Sequence, residues 1–95
     1  MLIDYKDFKF LDFQITNYNY DEEQKQLVID CLYRRCEKGK VIFKDVKEYE
    51  RNNLIGGTIY YIEHSRDRQQ CDYEIVFRDS VITIKIWADA ISYIL

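Results

Sequence analysis

The stretch Asp21-Glu22-Glu23-Gln24-Lys25-Gln26-Leu27-Val28-Ile29-Asp30-Cys31-Leu32-Tyr33-Arg34-Arg35 decides how this chain folds, because two different periods fit it. As a helix, Asp21 would cap the start, Glu22 and Glu23 would form an acidic first turn, and Leu27, Val28, Cys31, Leu32 and Arg35 would make a stripe at helical spacing. As a strand, Leu27, Ile29, Cys31 and Tyr33 share one face of a run from Gln26 to Arg34. The β-branched Val28-Ile29 pair and Tyr33 favour the strand, since branched and aromatic side chains fit a pleated surface better than a helical turn.

The flanking sequence repeats the two-residue rhythm. Upstream, Leu11, Phe13 and Ile15 alternate with Asp12, Gln14 and Thr16. Downstream, Tyr73, Ile75 and Phe77 alternate with Glu74, Val76 and Arg78, and Ile82, Ile84 and Ile86 alternate with Thr83, Lys85 and Trp87. Thr58 to Glu63 is dense in β-formers. Val41 and Phe43 open a run whose parity changes before Val46, which predicts a bulge or a strand end near Lys44-Asp45. The breaks are short: Asp21-Glu22-Glu23, Glu37-Lys38-Gly39-Lys40, Asn52-Asn53, Gly56-Gly57, Arg66 to Gln70, and Asp79-Ser80. Connections this short predict antiparallel neighbours, because a parallel pair needs a crossover of about a dozen residues. The expected fold is mainly β: one domain over 1–95, built as a single small antiparallel sheet or sandwich of about six strands, with one short helix over 21–35 as the alternative.

Composition agrees with that class. The chain has 95 residues, 47% of them hydrophobic and 33% charged, which suits one modest core and is too apolar for disorder. Nine Tyr fit a half-buried sheet, ring on the core and hydroxyl in water. A net charge of −3 argues against nonspecific nucleic-acid binding and is compatible with a basic partner protein. Three cysteines, Cys31, Cys36 and Cys71, do not make a disulfide framework. Asp4 and Asp7 interrupt any signal-peptide pattern at the start, and no apolar run approaches the ~18 residues of a membrane-spanning helix. The expected location is the cytoplasm, with no membrane partner.

Chemistry-bearing residues are few. His64 is the lone histidine and lacks a recognisable nucleophile pattern around it, so a surface position at a strand end is the plainer reading. The cysteines lack metal-ligand spacing, and Cys31 falls on the inward face with Leu27 and Ile29. Arg34-Arg35 with Lys38 and Lys40, beside Tyr33, could contact single-stranded nucleic acid, but Glu37 sits inside this small cluster. Gly56-Gly57 lacks the partners of a phosphate loop and reads as a tight turn or bulge. No enzyme, metal or cofactor is expected.

A resemblance rests on Phe10-Leu11-Asp12-Phe13-Gln14-Ile15, then Gly39-Lys40-Val41-Ile42-Phe43-Lys44-Asp45-Val46, then the closing Ile84-Lys85-Ile86-Trp87-Ala88-Asp89-Ala90-Ile91-Ser92. These strand patterns are similar to small bacterial β proteins found among the immunity proteins of polymorphic toxin systems. The resemblance implies an all-β chain that neutralises a toxin by direct binding and has no fixed active-site residues. It also implies structural roles for Asp12 and Asp45, such as hydrogen bonds across strand ends.

The expected function is non-catalytic protein binding through a Tyr-rich surface flanked by acidic loops. Tyr anchors interfaces because it supplies large contact area at low entropy cost. The expected partner-binding residues are Tyr18, Tyr20, Asp21, Glu22, Glu23, Glu48, Tyr49, Glu50 and Tyr60, with the tyrosines exposed. The alternatives are a phage-encoded inhibitor of a bacterial defence protein and a self-associating structural module, a homodimer among its forms.

Overall fold

The computed structural model describes residues 2–3, 13–33, 37–51, 55–64, 71–78 and 80–94. Among the described residues nine strands form one sheet: β1 (Leu2–Ile3), β2 (Phe13–Asp21), β3 (Gln26–Tyr33), β4 (Glu37–Lys44), β5 (Glu48–Tyr49), β6 (Thr58–His64), β7 (Tyr73–Phe77), β8 (Thr83–Trp87) and β9 (Ala90–Ile94). Every pairing is antiparallel, in the order β1-β9-β4-β3-β2-β6-β7-β8-β5. The described residues contain no helix, hence none long and apolar enough to cross a membrane.

That order closes on itself, with β1 beside β9 outside the ring. Chain segment 45–47 carries β4 on into β5, and segment 88–89 carries β8 on into β9. Since β4 pairs with β9 and β5 pairs with β8, these are one long bent strand lying against another. Lys47 N donates to Trp87 O at 2.8 Å and Asp89 N donates to Lys44 O at 3.0 Å across the bend. Six long strands therefore run as a closed ring: β2, β3, β4–β5, β8–β9, β7, β6 and back to β2. Closure removes the exposed edges that a small open sheet would have to guard.

Three bulges among the described residues let so small a ring close. Thr16 is the extra residue of β2 against β3, and Tyr60 is the extra residue of β6 against β7. Between the pairs Lys44↔Ala90 and Glu48↔Trp87, Asp45, Val46 and Lys47 face only Ala88 and Asp89. Asp45 takes a left-handed backbone there, φ 54°. This is the parity change predicted near Lys44-Asp45, and it turns Val46 back to the interior, where it is buried.

The inward faces fill the ring. Leu27, Ile29, Val41, Phe43, Ile59, Ile75, Ile86 and Tyr93 are wholly buried, and one cluster joins residues from β2 to β9. The rings of Phe43 and Tyr73 meet edge-on at 5.5 Å. Their strands, β4 and β7, are not sheet neighbours, so this contact crosses the interior. Burying side chains of this size stabilises the fold by about 1.5–3 kcal/mol each.

Three expectations are corrected. The helical alternative over 21–35 gives way to a hairpin: Asp21↔Gln26 closes it, and Leu27, Ile29 and Cys31 point inward. Glu37-Lys38-Gly39-Lys40 is the first half of β4 rather than a break, with Gly39 buried opposite Cys31. Ile82 is 60% exposed instead of inward, and β8 starts one residue later. The readings on Leu11, Asp12, Arg34, Arg35, Cys36, Asn52-Asn53 and Arg66 to Gln70 lie outside the described residues.

Candidate functional site

Strand direction alternates around the ring, so connections alternate between its two ends. The β2–β3, β5–β6 and β7–β8 connections open at one end. This end carries most of the expected partner-binding residues.

The β2–β3 turn is built around Asp21. Its Oδ1 accepts hydrogen bonds from Glu23 N at 2.9 Å and Gln24 N at 3.2 Å, and Lys25 completes the reversal with φ 53°. The carboxylate thus satisfies two backbone donors that the turn leaves free. Glu22 and Glu23 are held at the tip, exposed. Val46 N donates to Lys25 O at 2.8 Å, which pins the turn to the β4–β5 bulge.

Tyr20 and Tyr49 close the space beneath. Their rings lie 5.3 Å apart, and the Tyr20 hydroxyl donates to Val46 O at 3.4 Å. The Arg51 guanidinium sits 5.4 Å over the Tyr49 ring. The structure therefore brings Tyr20, Asp21, Glu22, Glu23 and Tyr49 together. Tyr18, Tyr20 and Tyr49 are half-buried against the core, however, which corrects the expectation that they are exposed. The bulge at Thr16 turns the upper part of β2 so that the Tyr18 and Tyr20 rings face inward.

The remaining expected residues are placed otherwise. Glu48 is exposed on β5, opposite Trp87. Glu50 binds a neighbouring strand: its Oε1 accepts from Lys85 N at 2.7 Å, and its own N donates to Lys85 O at 2.9 Å. Tyr60 is exposed in the β6 bulge, with the Arg78 guanidinium 5.1 Å over its ring. Lys47 and Asp89 pair at 3.7 Å on the surface, a contact worth little in water. Asp45 is exposed and serves the bulge geometry.

Elsewhere among the described residues, the chemistry-bearing side chains are His64, Cys31 and Cys71. His64, exposed at the end of β6, stacks on the Tyr73 ring at 4.8 Å with 16° between planes. Burial, and then the charge of Asp30, push the Cys31 thiol up to about 12. Cys71 is also buried. Among the described residues no three His, Cys, Asp or Glu side chains are grouped to hold a metal ion. Lys38 and Lys40 line an open cleft of about 420 Å³ with Thr16, Asp30 and Ile94, and Lys40 pairs with Asp30 at 3.7 Å.

Sequence reasoning missed the most exposed apolar residues at the turn end. Val81 is 98% exposed, Ile82 60% and Ile55 55%. The signal was local: Ser80 Oγ accepts from Ile82 N at 3.1 Å, so a Ser two residues before an apolar residue drew it into the turn.

No protein-family model matches the chain. Neither a curated protein nor a solved structure is significantly similar to it.

Proposed function

We propose that this chain is a non-catalytic, cytoplasmic protein-binding domain that acts as an immunity protein, neutralising a bacterial toxin by direct contact. The resemblance of its strand patterns to such proteins supplies the biology. The observation that carries the binding reading is the capped β2–β3 turn, which projects Glu22 and Glu23 from a backbone fixed at Asp21, Lys25 and Val46. The ring beneath is filled by side chains, which supports a reading in which the molecule acts through its outer surface. Fixed exposed carboxylates steer a basic partner into register, an effect that appears in the association rate and fades with salt.

A tagged chain should retain a protein with a basic surface from the native host, identified by mass spectrometry. With that partner purified, Glu22→Ser with Glu23→Ser should slow association several-fold at low ionic strength and flatten its salt dependence. The melting temperature should stay unchanged, because both side chains are exposed. An association rate unaffected by the pair of changes would remove this turn from the interface.

A further inference from the structure

We propose that the Val81-Ile82 tip of the β7–β8 connection is the apolar anchor of the interface, entering an apolar socket on a partner protein that carries Lys or Arg to one side. The inference rests on the binding reading above and names the chemistry of the partner's surface.

Single exposed apolar side chains are ordinary on protein surfaces. Here they are grouped. Val81 and Ile82 sit on one connection and Ile55 on another, and both open at the same end of the ring. The bases of the two connections are tied together, since Arg78 N donates to Thr58 O at 2.9 Å. The tip is held by the Ser80 hydroxyl that accepts from Ile82 N. Both tip residues are β-branched, so little rotamer freedom is lost when they dock. At 98% exposure, Val81 has nearly its whole apolar surface left to bury.

Charge selects the occupant. In the ring, β2 and β3 lie opposite β7 and β8, so the Glu22-Glu23 turn faces the tip across the end, with the β5–β6 connection between. The whole molecule measures 35 × 29 × 26 Å, and a standard interface patch of about 800 Å² covers both features together. A partner that fits offers an apolar socket opposite Val81 and basic residues opposite Glu22 and Glu23. An anionic membrane would accept the tip but repel the acidic turn. A second copy docking through this end by two-fold symmetry would set the tip against the other copy's carboxylates, or each acidic turn against itself.

The test compares two variants against the protein retained from the native host. Val81→Ser with Ile82→Ser should raise the dissociation rate about tenfold, with the association rate, its salt dependence and the melting temperature unchanged. Glu22→Ser with Glu23→Ser should do the reverse, acting on association. A photo-cross-linking residue at position 81 should join a partner peptide holding apolar residues beside Lys or Arg. An unchanged dissociation rate would overturn the anchor while leaving the binding reading intact, and failure to retain any partner would overturn both. Binding of the wild type to phosphatidylglycerol vesicles that the serine variant loses would assign the tip to a membrane. Self-association in sedimentation that this variant loses would assign it to a second copy. Either result overturns the proposal.

Discussion

Asp21 shows how a correct reading of side-chain chemistry can sit on the wrong backbone. Its carboxylate does what a helix N-cap does, accepting from the amides two and three residues ahead. A tight turn leaves the same amides free, so Asp21 followed by Glu22 and Glu23 reads alike in both settings. Asp21→Ala should therefore cost about 1 kcal/mol in urea unfolding, while Glu22→Ala stays within about 0.5 kcal/mol. Cys31 makes a second prediction at this scale. Its thiol ordinarily ionises near 9.0, and burial holds the proton in the folded chain to about 12. Between those values the unfolded state binds fewer protons than the folded one, so stability falls as pH rises from 9 towards 12. The slope should reach at most about 1.4 kcal/mol per pH unit, and Cys31→Ala should flatten it. Alkylation of Cys31 by iodoacetamide at pH 8 should be far slower in the folded chain than in urea.

Elements were legible where alternation was clean and misread where tertiary pairing overrode local preference. Leu27, Ile29 and Cys31 alternate without interruption, and the structure buries all three. Gly39 and its lysine neighbours have poor strand propensity, yet β4 extends through them because β3 pairs with it as far as Tyr33↔Glu37. The bulge before Val46 could be read from its parity change; those at Thr16 and Tyr60 leave the same kind of mark, Phe13 and Ile15 giving way to Tyr18 and Tyr20 and Ile59 to Ile62, but amphipathic tyrosines in both runs mask which face is inward. The tyrosines of the candidate site failed for the same reason: the Thr16 bulge decides that Tyr18 and Tyr20 face inward. Adjacent positions on β3 give a direct check of its faces. Ile29→Ala should destabilise by about 2–5 kcal/mol and Val28→Ala by well under half of that, measured by urea unfolding. Equal costs would mean that β3 is not one-sided.

For the whole molecule, about six strands were expected, and six long strands make the ring once β4–β5 and β8–β9 are each followed through their bends. Strand order was not legible, because it depends on pairings between distant segments that no local pattern encodes. Among the described residues the ring's join with fewest partners is β2 with β6, through Phe13↔Ile59, Gln14↔Thr58 and the hydrogen bonds of Ile15 with Gly56 and Gly57. If that join or the β4–β9 join were open, the interior would be exposed and the turn end would not be a fixed platform. A nuclear Overhauser spectrum of the labelled protein reads both joins and the interior at once. Cross-strand contacts between Phe13 and Ile59 and between Phe43 and Ile91, together with a contact between the Phe43 and Tyr73 rings, are the predicted result. Strong β2–β3 contacts with none between β2 and β6, and no Phe43 to Tyr73 contact, would contradict the closed and filled ring.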